Sequence, residues 1–113
     1  MGHATFDFDR WLTSLDTHVQ GLPLAAALNA IAIAAASEAG ATMWFAQILG
    51  HRWSYIAGEV RNAPSETPMV RMCLEGDIGL VSNGWGALSE PQRQKFVAFT
   101  KHLISDRQAQ DDL

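Results

Sequence analysis

His51-Arg52-Trp53-Ser54-Tyr55-Ile56-Ala57-Gly58-Glu59-Val60 is the stretch that decides the fold of this chain. Trp53, Ile56, Ala57 and Val60 recur at helical spacing and would prolong a helix from the segment before them. Trp53, Tyr55 and Ile56 are also strand formers, and Gly50 and Gly58 bracket the stretch. We read a strand. That choice makes the chain α+β, and a helix here would make it all-α.

Working outward, Pro64 and Pro68 place a loop over 61–68. From Met69 to Leu74, Val70, Met72 and Leu74 alternate with Arg71 and Cys73, which is a strand by period. Ile78, Leu80 and Val81 make a third. Arranged as a short three-stranded antiparallel meander, these strands have their register fixed by pattern, because a one-residue slip exchanges the two faces. Tyr55 is expected beside Leu74 and Ala57 beside Met72. Trp53, Tyr55, Ala57, Val70, Met72 and Leu74 then share the core face. The turn Glu75-Gly76-Asp77 must hold three residues, since only an odd loop returns Ile78 and Leu80 to that face. Arg52, Ser54, Ile56, Gly58, Arg71, Cys73 and Glu75 fall on the other face, with Gly79 across from Cys73.

Helices flank the strands. Phe8, Trp11, Leu12, Leu15 and Val19 form one apolar stripe from Asp7 to Gln20, stopped by Gly21. Pro23 opens a second helix to about Ala39, and nine of the fifteen residues from Ala25 to Ala39 are alanine. Thr42 is placed to cap a third helical segment carrying Trp44, Phe45, Ile48 and Leu49 and closed by Gly50; one helix running from Pro23 to Leu49 through Gly40 is the alternative. Ser89 and Gln92 form a capping box for the last helix, amphipathic with Phe96, Val97, Phe99, Leu103 and Ile104 buried. Trp85, in a turn-rich connection, is the tryptophan expected at the surface. Residues 1–113 read as one domain, with 1–6 and 108–113 as frayed ends.

Only 20 of the 113 residues are charged. Between Thr17 and His51 there is a single one, Glu38. With a net charge of −4 and two lysines, no basic footprint for nucleic acid or an anionic membrane exists. The apolar run 22–36 is shorter than the roughly 20 residues a membrane span needs. One cysteine, Cys73, excludes an intrachain disulfide and points to the cytoplasm. The chain carries no Walker loop, GxGxxG, HExxH, GxSxG or CxxC, and no pair of its histidines has a metal-ligand spacing. We expect no metal and no cofactor.

Three function classes remain. The charge-poor stretch favours a small non-enzymatic assembly or regulatory module, homodimeric or bound to another protein, with Asn29, Ser37, Trp44 and Phe45 at its interface. Asn29 and Ser37 share a helix face and suit a polar helix–helix seam or a pocket. Arg52, Arg61 and Arg71 offer a ligand-binding alternative, a fork for a small carboxylate or phosphate, against the plainer role of surface ion pairs. Cys73, with His51 as base, offers a thiol-dependent enzyme or redox sensor, against the plainer role of a small buried apolar cysteine. With no catalytic motif present, an enzyme is the less expected outcome.

Overall fold

The computed structural model describes residues 7–58, 70–83 and 85–111. Helix α1 (Phe8–Val19) starts where Asp7 accepts a hydrogen bond from the Arg10 N–H at 3.1 Å. Its stripe of Phe8, Trp11, Leu15 and Val19 is buried, as the spacing predicts. Pro23 precedes α2 (Leu24–Ala34), whose end relaxes into one π turn over Ala35–Ala39. Gly40, at a φ of +72°, stops it there, so no helix runs through to Leu49.

The third helical segment expected after Thr42 is instead a strand, β1 (Met43–Leu49). It is followed by β2 (Arg52–Gly58), β3 (Val70–Glu75) and β4 (Ile78–Ser82). The four form one antiparallel sheet in the order β2-β1-β4-β3. The strand expected from His51 is therefore present, and the chain is α+β. The three-stranded meander is not. β2 turns back onto β1 through Gly50-His51 and does not pair with β3, so Tyr55 faces Ala46 rather than Leu74, and Ala57 faces Phe45 rather than Met72. The physical reason is that β1 and β4 fill the middle of the sheet and separate the two strands that the pattern had paired.

Two bulges set which side chains face where. Glu75 pairs directly with Ile78, so the turn holds two residues, Gly76 and Asp77, instead of three. The odd residue that the faces demand is Leu74, skipped in the pairing between Cys73 and Glu75. Ile78 and Leu80 accordingly stay buried. In β2 the skipped residue is Ile56. Ala57 thus joins Phe45 in the core, while Trp53 and Tyr55 turn to the opposite face, contrary to the expected pattern.

The helices share one side of the sheet. α2 lies on β2 and β1, α3 (Glu90–Asp111) lies on β3, and α1 bridges α2 and α3. One continuous core joins Ile31 of α2, Phe45 and Leu80 of the sheet, and Phe96 and Ile104 of α3. Trp85 belongs to it too, set edge-on to Phe96 with centroids 6.0 Å apart, rather than to the surface. The capping box closes reciprocally: the Ser89 N–H donates to Gln92 at 2.9 Å and the Gln92 N–H to Ser89 at 3.3 Å. α3 keeps its helical turn past Gln108 to Asp111, where fraying was expected. Residues 1–6, and the loop expected at 61–68, lie outside the described residues.

Arg107 is what the helical pattern of α3 does not announce. Its guanidinium donates from Nε to the Leu22 carbonyl and from Nη2 to the Val19 carbonyl, both at 2.9 Å. It thereby caps the C-terminal end of α1 from a helix 85 residues away in sequence. Its remaining nitrogen pairs with Asp106 at 2.7 Å. Replacing Arg107 with Ala strands two partly buried carbonyls and should cost about 2 kcal/mol, with Lys restoring only part of it, by urea denaturation. At Gly58, with φ +109°, an added Cβ would lie 2.7 Å from the Trp44 Cα and 2.8 Å from the Met43 oxygen. The same measurement should give Gly58→Ala a loss of about 3 kcal/mol, against about 1 kcal/mol for Gly21→Ala, where nothing lies within 4 Å.

Candidate functional site

The side of the sheet away from the helices carries a second apolar layer. By register its members are Trp44, Ala46 and Ile48 of β1, Trp53 and Tyr55 of β2, Arg71 and Cys73 of β3, and Gly79 and Val81 of β4. Ala46 and Val81 are fully buried yet belong to no part of the helix-side core. They are covered by the large side chains around them. Trp44 and Tyr55 pack with ring centroids 6.2 Å apart. The Tyr55 hydroxyl donates to the Gly58 carbonyl at 2.7 Å, which holds the ring down beside the β2 bulge.

Trp53 organises this layer. Its indole reaches from β2 across Ile48 to β4, where a Cβ on Gly79 would sit 2.4 Å from its ring. The Arg71 guanidinium lies over the same ring, 5.9 Å from the centroid. Gly79 does stand across from Cys73, as expected, and the space it leaves holds the indole. No cover lies over the layer among the described residues: Tyr55 remains 55% exposed, Cys73 and Arg71 are exposed, and Trp44 and Trp53 are half-buried.

The proposed site residues are distributed by this topology. Arg52 and Arg71 stand on the two outermost strands, three strand spacings or roughly 14 Å apart, and the register turns them to opposite faces. Arg61 lies outside the described residues. Cys73 is on β3, whereas His51 is in the turn between β1 and β2 at the far side of the sheet, so the two are not neighbours. Cys73 is exposed, not the buried apolar thiol of the plainer alternative. Phe45 is fully buried in the core, and its neighbour Trp44 is on the open face. Among the described residues no three His, Cys, Asp or Glu side chains gather as a metal site would require, and no helix is long and apolar enough to cross a membrane.

The hydrogen bonds of Asn29 and Ser37 do not go to a neighbouring helix. Asn29 accepts from the Gly58 N–H at 3.2 Å, and Ser37 donates to the Ile33 carbonyl one turn back at 2.9 Å. Both line a groove of about 470 Å³ between α1 and α2, the pocket alternative of the two uses weighed for them. Ile48, Trp53 and Tyr55 are the residues of the open face that sequence reasoning assigned elsewhere. The signal that could have found them was the bulge, which no residue type marks here.

Comparison with protein-family models, with curated proteins and with solved structures finds no match to this chain. Site and fold therefore rest on their own geometry. The Trp53–Gly79 contact is the most easily tested part of it. Gly79→Ala should dislodge the indole, costing about 1–3 kcal/mol of stability. In an NMR spectrum the Trp53 indole N–H should move while that of Trp85, in the core, stays in place.

Proposed function

We propose that this protein is a small non-enzymatic assembly module that pairs with a second copy of itself through the helix-free face of its sheet. The observation that carries this is the uncovered layer of Trp44, Ile48, Trp53 and Tyr55, which belongs to no core. Tryptophan and tyrosine are the residues most enriched where a few side chains supply the binding energy. A two-sided aromatic sheet has little reason to arise in a chain of 113 residues that keeps both sides to itself.

Charge supports the same surface. The charge-poor segment Thr17–His51 divides between α2, set against the sheet and α1, and β1, which has neighbours on both sides and its outer face open. Arg71 is the one charged side chain that the register places on this face among the described residues. It is on an outermost strand, with Trp53 beneath its guanidinium. A two-fold axis between the paired faces, parallel to the strands and midway between β1 and β4, sets the two Arg71 side chains at opposite margins, where they do not oppose each other. Four strands about 4.8 Å apart and about six residues long give a footprint of roughly 400 Å². That is about half of what a standard interface buries on each partner, so the pairing is expected to be weak and readily reversible.

Sedimentation velocity over the micromolar range tests this. The chain should shift from monomer to dimer with rising concentration, and Tyr55→Lys and Cys73→Lys, both at exposed positions, should each hold it monomeric, Cys73→Lys with little change in thermal midpoint. Alkylation of Cys73 should slow as dimer forms. A wild-type chain that stays monomeric through that range, or a dimer indifferent to both substitutions, overturns the proposal.

A further inference from the structure

Glu38 is the single charged residue in the 35 positions from Thr17 to His51. It is exposed, but the fold fixes where its carboxylate points. It sits in the π turn that ends α2 and lines the groove between α1 and α2. The Trp11 indole N–H donates to its Oε2, fixing the carboxylate against α1. Its second oxygen, Oε1, accepts no hydrogen bond from any described residue. π turns are rare, and they are frequent at functional sites.

The rest of the groove has a consistent chemistry. Ala30 and Ile33 give it an apolar wall, Ser37 and His18 add polar groups, and no Lys or Arg lines it. Its volume of about 470 Å³ lies within the range of small-molecule sites. A lone, anchored carboxylate beside an alanine-lined wall selects for one positive, hydrogen-bond-donating head on a short hydrocarbon body. We infer that the α1–α2 groove is a binding site for a small organic cation, a primary amine in its ammonium form, with Glu38 as the anionic contact and Ala30 and Ile33 against the hydrocarbon. The groove belongs to the helical side of the molecule, and the site stands whether or not the sheet face dimerises.

An NMR titration of the full chain tests it, with n-hexylammonium as the probe and hexanoate and hexanol as controls of the same length. Hexylammonium should shift the Trp11 indole N–H and the Ile33 amide along one saturating curve, and hexanoate should shift neither. Glu38→Gln keeps an acceptor for Trp11 and removes the charge, so it should weaken hexylammonium about fivefold, the upper end for a partly exposed charge pair. Ala30→Leu fills the apolar wall and should weaken hexylammonium and any residual hexanol binding alike. Shifts that do not saturate, hexanoate binding as well as hexylammonium, or a Glu38→Gln chain that folds and binds hexylammonium unchanged would each overturn the inference.

Discussion

The structure depends on β1 being satisfied on all sides. Its backbone is paired with β2 on one side and β4 on the other. Its Met43 and Phe45 are buried under the helices, while Ala46 is buried under the opposite layer. A strand in that position can carry no charge without a desolvation cost, and Met43-Trp44-Phe45-Ala46-Gln47-Ile48-Leu49 carries none. α2 is small for a related reason. Its alanines let its backbone settle close to β2, near enough for Asn29 to hold the Gly58 N–H. Enlarging that face would lift the helix off the sheet and break this tie.

That same centrality made β1 the least legible element. A strand apolar on both faces shows no alternation, and adjacent apolar residues at 44, 45, 48 and 49 fit a helical stripe equally well. α1, α2 and α3 were legible because amphipathic spacing and their boundary residues agreed: Asp7 and Gly21, Pro23 and Gly40, Ser89 and Gln92. The strand from Arg52 was legible from its residue types but its face was not. The parity of the Leu74–Ile78 connection was sound, and only its location differed, in the strand rather than the turn. Local pattern counts residues between faces. It does not say where the extra one is stored.

The candidate surfaces were legible to a similar degree. The charge deficit falls on α2 and β1, and Trp44 lies on an open face and Asn29 in a groove. Tyr55 and Trp53 were hidden by the bulge at Ile56, and Arg107 by its distance in sequence from the carbonyls it caps. Long-range pairing of this kind leaves no periodic trace. Arg52 and Arg71 show the converse hazard: residues that the pattern puts on one face end on strands that do not pair with each other and on opposite faces.

Both out-of-register residues, Ile56 and Leu74, lie on the two strands that end the described sheet. An edge interrupted in this way presents its N–H and C=O groups unevenly and with a local change of twist, so it is a poor template for another strand. A chain with an aromatic sheet face needs that protection, because an apolar face beside a regular open edge would let sheets grow sideways without limit. The irregularities that hid the fold from the sequence thus have a colloidal consequence: they oppose the edge-to-edge growth of an open-ended fibre.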